Sequence, residues 1–231
     1  MPKVVIFSGA GLSAQSGLST FRDSGGLWER YKIEDICSAG CLDWNYEETI
    51  KFYDKRRMQL ASVSPNIAHT KIAELKNRHP KDIAVITQNV DDLFERAGCK
   101  DVMHLHGFLP QIRCMSCGEI ENIGYEELPL ERLCGGCKGR LRPDIVFFGE
   151  SAPAYAQGFA LMDSCELLVV IGTSGNVINS DMFIRGGNKR AILNNLEPSE
   201  IIDERLYEKC LYKPATEAID EIVDEVEGLL V

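Results

Sequence analysis

Long apolar runs and an excess of positive charge are both missing from this sequence of 231 residues. The longest apolar run, Leu167–Ile171, is far shorter than the roughly 20 residues that cross a bilayer. An apolar run begins a few residues after Met1 with no leader before it, so we expect no signal peptide and a cytoplasmic protein. The 35 acidic and 25 basic residues give a net charge of −10. This charge argues against nucleic acid as the main partner and weakly favours basic partners such as lysine-rich peptides.

The nine cysteines are odd in number, and without an export signal they do not indicate a disulfide scaffold. Four of them form two C-x-x-C pairs, Cys114 with Cys117 and Cys134 with Cys137. Each pair can place two thiolates on one tight turn, and two such turns complete a tetrahedral sulfur shell. The spacing therefore predicts a structural Zn²⁺ site with no open coordination position. A redox pair or chance are the alternatives, and neither explains why the motif occurs twice.

A glycine-rich segment follows the first predicted strand, Val4–Phe7, and reads GAGLSAQSGLSTF. Gly9, Gly11 and Ala14 satisfy the dinucleotide pattern G-x-G-x-x-G/A. Glycine allows a tight turn there, and a helix that opens near Ser13 would offer backbone N–H groups to a phosphate. The segment predicts a pyrophosphate-binding loop, although a glycine turn that only tightens a strand–helix junction is the alternative.

Short apolar runs alternate with helical patterns along the rest of the chain. The runs are Ile83–Ile86, Ile145–Phe148, Leu167–Ile171 and Ala191–Leu193, and the helical stretches are Glu47–Ala61, Ala68–Asn77 and Asp91–Ala97. This alternation predicts an α/β fold with a Rossmann-like parallel sheet and helices on both faces. We expect the main, Rossmann-like domain to span residues 1–22, 64–110 and 144–231. A helical insertion (residues 23–63) and a zinc lobe (residues 111–143) would form a smaller domain, with a ligand cleft between the two.

Polar residues follow the predicted strand Ile83–Ile86. Gln88, Asn89 and Asp91 stand where ligands are bound in parallel sheets, and their side chains suit a carboxamide and ribose hydroxyls. A helix cap made by Asn or Asp is the alternative.

Two histidines come next, in the sequence HLHG. One of these imidazoles is a candidate general base near neutral pH. A lone histidine is more often a satisfied polar group, and we prefer that interpretation for His69, His79 and His104.

Taken in order, the motifs resemble the sirtuin family of NAD⁺-dependent protein deacylases. They are GAGLSAQSGLSTFR, TQNVDDLFERAG, HLHG, the two C-x-x-C pairs, RPDIVFFGE, GTS and NLEPS. The resemblance covers nearly the whole chain and implies NAD as co-substrate and one structural zinc ion. It also implies acylated-lysine proteins or peptides as partners, with neither nucleic acid nor a membrane.

The resemblance further implies a role for each matched residue. The residues that would wrap around the pyrophosphate are Gly9, Ala10, Gly11, Ser13, Phe21 and Arg22. The ribose and the nicotinamide pocket fall to Gln88, Asn89 and Asp91. The adenosine half falls to Gly172, Thr173, Ser174, Asn195, Leu196, Glu197 and Ala215, the last in the loop before the final helix. His106 would be the general base that deprotonates a ribose hydroxyl, and the products would be free lysine, nicotinamide and O-acyl-ADP-ribose.

Tyr53 and Arg56 are three residues apart and share one face of the helix predicted at Glu47–Ala61. A guanidinium beside a phenol matches a carboxylate in charge and geometry. From the residues alone, Tyr53 in the core and Arg56 as a surface charge is the alternative. The sirtuin branch with this Tyr-x-x-Arg signature, class III, binds the acid end of succinyl- or malonyl-lysine with the pair. The resemblance therefore implies that the chain removes acetyl and succinyl or malonyl groups.

Three residues depart from the family pattern: Asn179 replaces a usual proline, Lys213 a common glycine and Phe94 a common histidine. The first two are expected near the adenosine. Other functions remain open at this point, namely ADP-ribosyl transfer, a zinc-ribbon binding module and an NAD-dependent oxidoreductase. Against the oxidoreductase, the sequence lacks a clear acidic residue about twenty residues after the glycines that would bind the ribose.

Overall fold

The computed structural model describes residues 1–18, 32–185 and 189–230. Phe21 and Arg22, predicted to contact the pyrophosphate, lie outside the described residues. The strands are β1 (Val4–Ser8), β2 (Ile83–Thr87), β3 (Val102–His104), β4 (Gly107–Cys114), β5 (Ile120–Asn122), β6 (Leu141–Ile145), β7 (Leu167–Ile171), β8 (Arg190–Asn195) and β9 (Lys209–Tyr212). The helices are α1 (Gly11–Ala14), α2 (Ile33–Ile36), α3 (Cys41–Trp44), α4 (Tyr46–Ser62), α5 (Ile67–Arg78), α6 (Leu93–Arg96), α7 (Tyr155–Ser164) and α8 (Ala215–Leu230).

Six strands form one parallel sheet in the order β3-β2-β1-β7-β8-β9. The chain adds strands on one side of β1 and then crosses to add the rest on the other side, so the strand order reverses between β1 and β7. In sheets of this kind a ligand binds outside the carboxyl ends of the strands at the reversal point. The predicted α/β class and parallel sheet are confirmed.

Strand β1 shows why apolar runs mark this sheet. All five of its residues are buried because the sheet is covered on both faces. Alternate residues enter different cores: Val4 and Ile6 pack with α5 and α8, whereas Val5 and Phe7 pack in the cluster that contains α7 residues. The carboxyl end of β1 is thereby fixed rigidly at the centre of the molecule.

A smaller antiparallel sheet has the order β5-β4-β6. Helix α4 packs against it, with Ile50 buried beside Ile112 and Leu141. His106 joins the two sheets, since it stands between the last residue of β3 and the first of β4. Gly107 makes this junction possible: its φ is +91°, and a Cβ there would lie 2.0 Å from the carbonyl oxygen of Asp144.

Three expected elements differ from the structure. The run Ile145–Phe148 is not a strand of the parallel sheet: β6 ends at Ile145, and a turn at Gly149 (φ +85°) follows. The helix expected from Asp91 begins at Leu93, because the Asp91 carboxylate accepts the N–H of Leu93 and stays ahead of the helix. Ala215 opens α8 itself and does not lie in a loop before it. Among the described residues, no helix has both the length and the apolar character needed to cross a membrane.

Arg57 connects helix α4 to the smaller sheet and is a stability determinant. Its guanidinium is 0% exposed, lies 2.6 Å from Asp54 Oδ1 and donates to the carbonyl oxygen of Glu126. We expect Arg57→Met to lower the free energy of unfolding by about 3–5 kcal/mol, because the Asp54 carboxylate loses its buried partner. Chemical denaturation measures this, with Lys55→Met as the matched control on an exposed position of the same helix. Equal stability of the two variants would contradict the prediction.

Candidate functional site

A cavity of about 220 Å³ opens at the carboxyl ends of β1 and β2. Eight residues predicted from the sequence line it together: Ala10, Ser13, Tyr53, Arg56, Gln88, Asn89, Asp91 and His106. They come from the loops after β1 and β2, from helix α4 and from the junction between the sheets. Residues far apart in the chain thus share one enclosed space with both apolar and polar walls.

A hydrogen-bond network supports the wall of the cavity next to β1. Ser13 Oγ donates to Asp91 Oδ2 at 2.9 Å and accepts from Asn89 Nδ2 at 3.1 Å. Asn89 Nδ2 also donates to the carbonyl oxygen of Gly9 at 3.1 Å. Both Asn89 and Asp91 are only 9% exposed, and burial raises the pKa of the Asp91 carboxyl. The network leaves these two side chains little freedom to turn away from the cavity.

His69 completes this network, and no sequence motif pointed to it. Its Nδ1 accepts the backbone N–H of Asn66 at 3.3 Å, so the proton of the neutral ring is on Nε2, 3.4 Å from Ser13 Oγ. Burial lowers the pKa of His69 to about 4, which keeps the ring neutral near pH 7. His69 is therefore a satisfied, buried donor, and it fixes the hydroxyl of Ser13.

The two ring nitrogens of His106 have different partners, a backbone carbonyl oxygen and a phenol hydroxyl. Nδ1 lies 3.0 Å from the carbonyl oxygen of Gln88, and because a carbonyl only accepts, Nδ1 carries the proton. Nε2 then has a lone pair, and the Tyr155 hydroxyl lies 2.7 Å from it. Burial lowers the pKa of His106. The ring is thus held as a neutral base, with the lone pair of Nε2 next to the Tyr155 hydroxyl in the cavity.

His104, two residues earlier, is in a different state. Its Nδ1 lies 2.9 Å from the carbonyl oxygen of Asn89 and its Nε2 lies 2.9 Å from Glu95 Oε1. Burial works against the charged ring, but the hydrogen bonds and the Glu95 charge outweigh it and raise the pKa of His104. With an acceptor at each nitrogen, His104 is a satisfied structural donor.

Tyr53 and Arg56 line the far side of the same cavity. The Tyr53 ring is 3% exposed and stacks on Phe147 at a centroid distance of 5.6 Å, so it is also part of the core. Its hydroxyl donates to Cys37 Sγ at 3.1 Å. Arg56 Nη1 donates to Gln59 Oε1 at 3.1 Å. Burial lowers the pKa of Arg56, while the Asp91 charge works in the opposite direction.

The two glycines after β1 use their N–H groups within the protein. The N–H groups of Gly9 and Gly11 donate to the carbonyl oxygens of Ile171 and Gly172, each at 2.9 Å, and are therefore not directed at a ligand. A Cβ on Gly9 would lie 2.7 Å from Gly172 O, and one on Gly11 would lie 2.7 Å from Gly172 Cα. The glycines let the loops after β1 and β7 touch, and α1 is only four residues long.

The residues expected around the adenosine lie outside the lining of that cavity: Gly172, Thr173 and Ser174 follow β7, Asn195 ends β8 with Leu196 and Glu197 after it, and Ala215 opens α8. Thr173 connects them: its Oγ1 accepts from Gln88 Nε2 at 3.0 Å, and its carbonyl oxygen accepts from Asn195 Nδ2 at 2.9 Å. Leu196 is 67% exposed and Glu197 is exposed beside it. These positions form a surface at the carboxyl ends of β7 and β8.

The departures from the family pattern have structural explanations. The Asn179 side chain accepts from the N–H of Asp181 and caps the 3₁₀ helix Ser180–Phe183. Lys213 pairs with Glu221 of α8. Phe94 is buried and packs edge-on against His69, with ring centroids 5.1 Å apart.

Cys114, Cys117, Cys134 and Cys137 converge in the smaller sheet region, with all four Sγ atoms within 4.8 Å of one another. Sγ–Sγ distances are 3.4 Å for Cys114–Cys137 and 3.7 Å for Cys117–Cys134. A tetrahedral zinc ion with Zn–S bonds of about 2.3 Å needs sulfur atoms about 3.8 Å apart. The four thiols therefore fit a closed zinc site.

Known proteins resemble this chain along its whole length. The model of the Sir2 family matches residues 9–179. A Campylobacter jejuni protein named NAD-dependent protein deacylase is 48% identical over 231 residues, which cover 100% of this chain and 98% of that protein. A Helicobacter hepaticus protein of the same name is 43% identical over 256 residues and 100% of both chains. A solved Sir2 homolog–NAD complex superposes with a TM-score of 0.87 at 32% identity, covering 99% of this chain and 90% of that one.

Proposed function

Because the chain belongs to the Sir2 family and is an NAD-dependent protein deacylase, we propose that it removes succinyl and malonyl groups as well as acetyl groups from protein lysines. One observation carries the proposal: the neutral base His106 and the half-buried cation Arg56 line the same cavity. An acyl-lysine that enters between them has its reacting carbonyl near the base and the end of its acyl chain near the guanidinium.

The carboxyl ends of the parallel strands supply the binding site for NAD in this proposal. Asn89 and Asp91 suit the nicotinamide end because they are buried, fixed polar groups in the cavity. Gln88 and Thr173, joined by a hydrogen bond, lead from there towards the residues expected around the adenosine. NAD, when bound, supplies ADP-ribose as the acceptor of the acyl group, with nicotinamide and O-acyl-ADP-ribose as products. The parallel sheet then belongs to an NAD-binding domain of residues 1–22, 64–110 and 144–231, with residues 23–63 and 111–143 in the second domain.

His106 acts as general base in this proposal. The carbonyl oxygen of Gln88 holds the proton on Nδ1, so Nε2 is the atom that accepts a proton from a sugar hydroxyl. Its lowered pKa keeps Nε2 unprotonated at neutral pH. The zinc would have a structural role only, because four thiolates leave no open coordination position for substrate or water.

The acyl end is recognised by charge and by a phenol. Arg56 offers a planar guanidinium, which suits a carboxylate better than a flexible ammonium. The Tyr53 hydroxyl donates to Cys37 Sγ, a weak acceptor, so a carboxylate is the stronger competitor for that proton. An acetyl group has no carboxylate and makes neither contact, so its removal does not depend on these two side chains.

We expect Arg56→Met to reduce kcat/KM for a succinyl-lysine peptide by about 10- to 100-fold, since hydrogen bonds to charged groups contribute about 1.5–3 kcal/mol. The same variant should change kcat/KM for the matching acetyl peptide less than about threefold. Mass spectrometry of both peptides, with and without NAD, measures free lysine and O-acyl-ADP-ribose in one assay.

Lys55→Met is the matched control, since it removes one positive charge from an exposed position of the same helix. It should leave both reactions unchanged. Undiminished desuccinylation in Arg56→Met would refute the role of Arg56, and an equal loss on both peptides would show that Arg56 serves the reaction in general.

A further inference from the structure

Tyr155 stands out because its hydroxyl is 2.7 Å from Nε2 of His106, the one lone pair that the base can use. No sequence motif singled it out. It is the first residue of α7 and lines the cavity. Its ring stacks on Phe159 at a centroid distance of 4.9 Å, and Phe159 meets Phe183 edge-on at 5.1 Å. This row of aromatic rings fixes the position of the phenol.

The direction of the hydrogen bond follows from the other side of the imidazole. Because Nδ1 must donate to the carbonyl oxygen of Gln88, Nε2 of the neutral ring has no hydrogen to give. The phenol therefore donates. Burial raises the pKa of Tyr155, which keeps its proton in place. In the unliganded cavity the base is held at both nitrogens, by a carbonyl on one side and a hydroxyl on the other.

We propose that Tyr155 is a positioning residue: its hydroxyl takes the place of the reacting sugar hydroxyl at His106 Nε2 and keeps the ring in its proton-accepting tautomer until substrate arrives. This inference rests on the proposed role of His106 as base. Two donors cannot share one lone pair, so the sugar hydroxyl must displace the phenol before a proton moves. Imidazolium has a proton on Nε2 and cannot accept, so the phenol would have to turn and accept from it. In this proposal the bond that the phenol donates to the neutral ring is the stronger of the two, so that the phenol favours the neutral ring.

The substitution Tyr155→Phe tests this directly, because it removes only the hydroxyl and keeps the ring that packs on Phe159. The chain has four histidines, so the imidazole C2–H signals can be followed separately by NMR, and His106→Asn assigns the signal of His106. Removing the donor should raise the measured pKa of His106 by about half to one unit, since one hydrogen bond contributes about 0.5–1.5 kcal/mol. The charged groups that line the same cavity, Arg56, Asp91 and Glu150, stay in place in this variant.

Tyr207→Phe is the matched control, since the Tyr207 hydroxyl is bonded to Ser180 and not to His106. It should leave the pKa of His106 where it is. An unchanged or lowered pKa in Tyr155→Phe would overturn the proposal whatever the activity of the enzyme.

The pH dependence of kcat/KM separates this proposal from the function on which it rests. In Tyr155→Phe the acidic limb should move to higher pH by the same half to one unit, which a purely structural role would not cause. If the NMR pKa moves and the limb does not, the phenol touches His106 without serving the reaction. Full activity in His106→Asn would instead refute His106 as base, while the NMR titration would still report on the hydrogen bond.

Discussion

Replacing His106 with asparagine is expected to lower kcat for acyl-lysine removal by about 10²–10⁴-fold, the usual contribution of a positioned general base. Asparagine can still donate to the carbonyl oxygen of Gln88, but it has no nitrogen that accepts a proton at neutral pH. The hydrogen bond to the backbone is kept and only proton transfer is lost. Nicotinamide release and free-lysine peptide, followed at saturating NAD, measure the effect.

The pH profile gives an independent check on the wild-type enzyme. Burial lowers the pKa of His106 below 6.5, so Nε2 accepts a proton throughout the neutral range and becomes protonated only in more acidic solution. We expect kcat/KM to fall on an acidic limb as Nε2 becomes protonated, at a lower pH than for an ordinary histidine. His79→Asn, which changes a histidine at the end of α5 outside the cavity, should retain full activity. Loss of no more than threefold in His106→Asn would contradict the assignment.

Removing zinc from the four-cysteine site is expected to unfold the smaller sheet. Binding of structural zinc contributes about 10–16 kcal/mol in small zinc domains, as much as the whole stability of a typical protein. Cys114 ends β4, and the segment between β5 and β6 carries Cys134 and Cys137. The bound metal joins the turn after β4 to the turn between β5 and β6, in addition to the pairing of β4 with β5 and β6.

This unfolding should reach the acyl end of the cavity although zinc takes no part in the reaction. Helix α4 packs on the smaller sheet through Ile50, and Tyr46 at its start donates to the carbonyl oxygen of Leu141. The same helix carries Tyr53 and Arg56. Cys117→Ser should therefore lose zinc, thermal stability and deacylation together.

Metal content, thermal denaturation and peptide assays on one preparation measure the three losses. Cys210→Ser, which changes a cysteine of β9 outside the cluster, is the control and should lose none of them. A zinc-free protein with unchanged melting temperature and activity would show that the site is dispensable.

The central strands were predictable because both faces of the parallel sheet are buried. That burial makes β1 and β7 short continuous apolar runs bounded by turn or polar residues, a pattern that is visible in the sequence. Strands β3 and β9 have only three and four residues and include half-buried positions, so they gave no such signal. The run Ile145–Phe148 was wrongly predicted as a strand of the parallel sheet, because apolar content alone does not show which sheet a segment joins.

Of the residues in and behind the cavity, the sequence motifs predicted those that belong to a motif but not the residues that hydrogen-bond to them. Asn89, Asp91 and His106 occur in short recognisable segments. Tyr155 contacts His106 across 49 residues and His69 contacts Ser13 across 56 residues, and nothing local marks either contact. Such partners are selected by the packing of helices on the sheet, which a single sequence does not display.

The contact between the loops after β1 and β7 also limits how this sequence can change over generations. A Cβ at Gly172 would lie 2.4 Å from the backbone nitrogen of Leu12, as close a clash as those at Gly9 and Gly11. All three clashes include backbone atoms, which cannot swing aside as a long side chain can. The atoms that an added Cβ would meet belong to the other loop, so a change next to the substituted glycine in sequence does not remove them. A substitution at any one of these glycines therefore requires the opposite loop to move as well, so the segments after β1 and β7 can change only together.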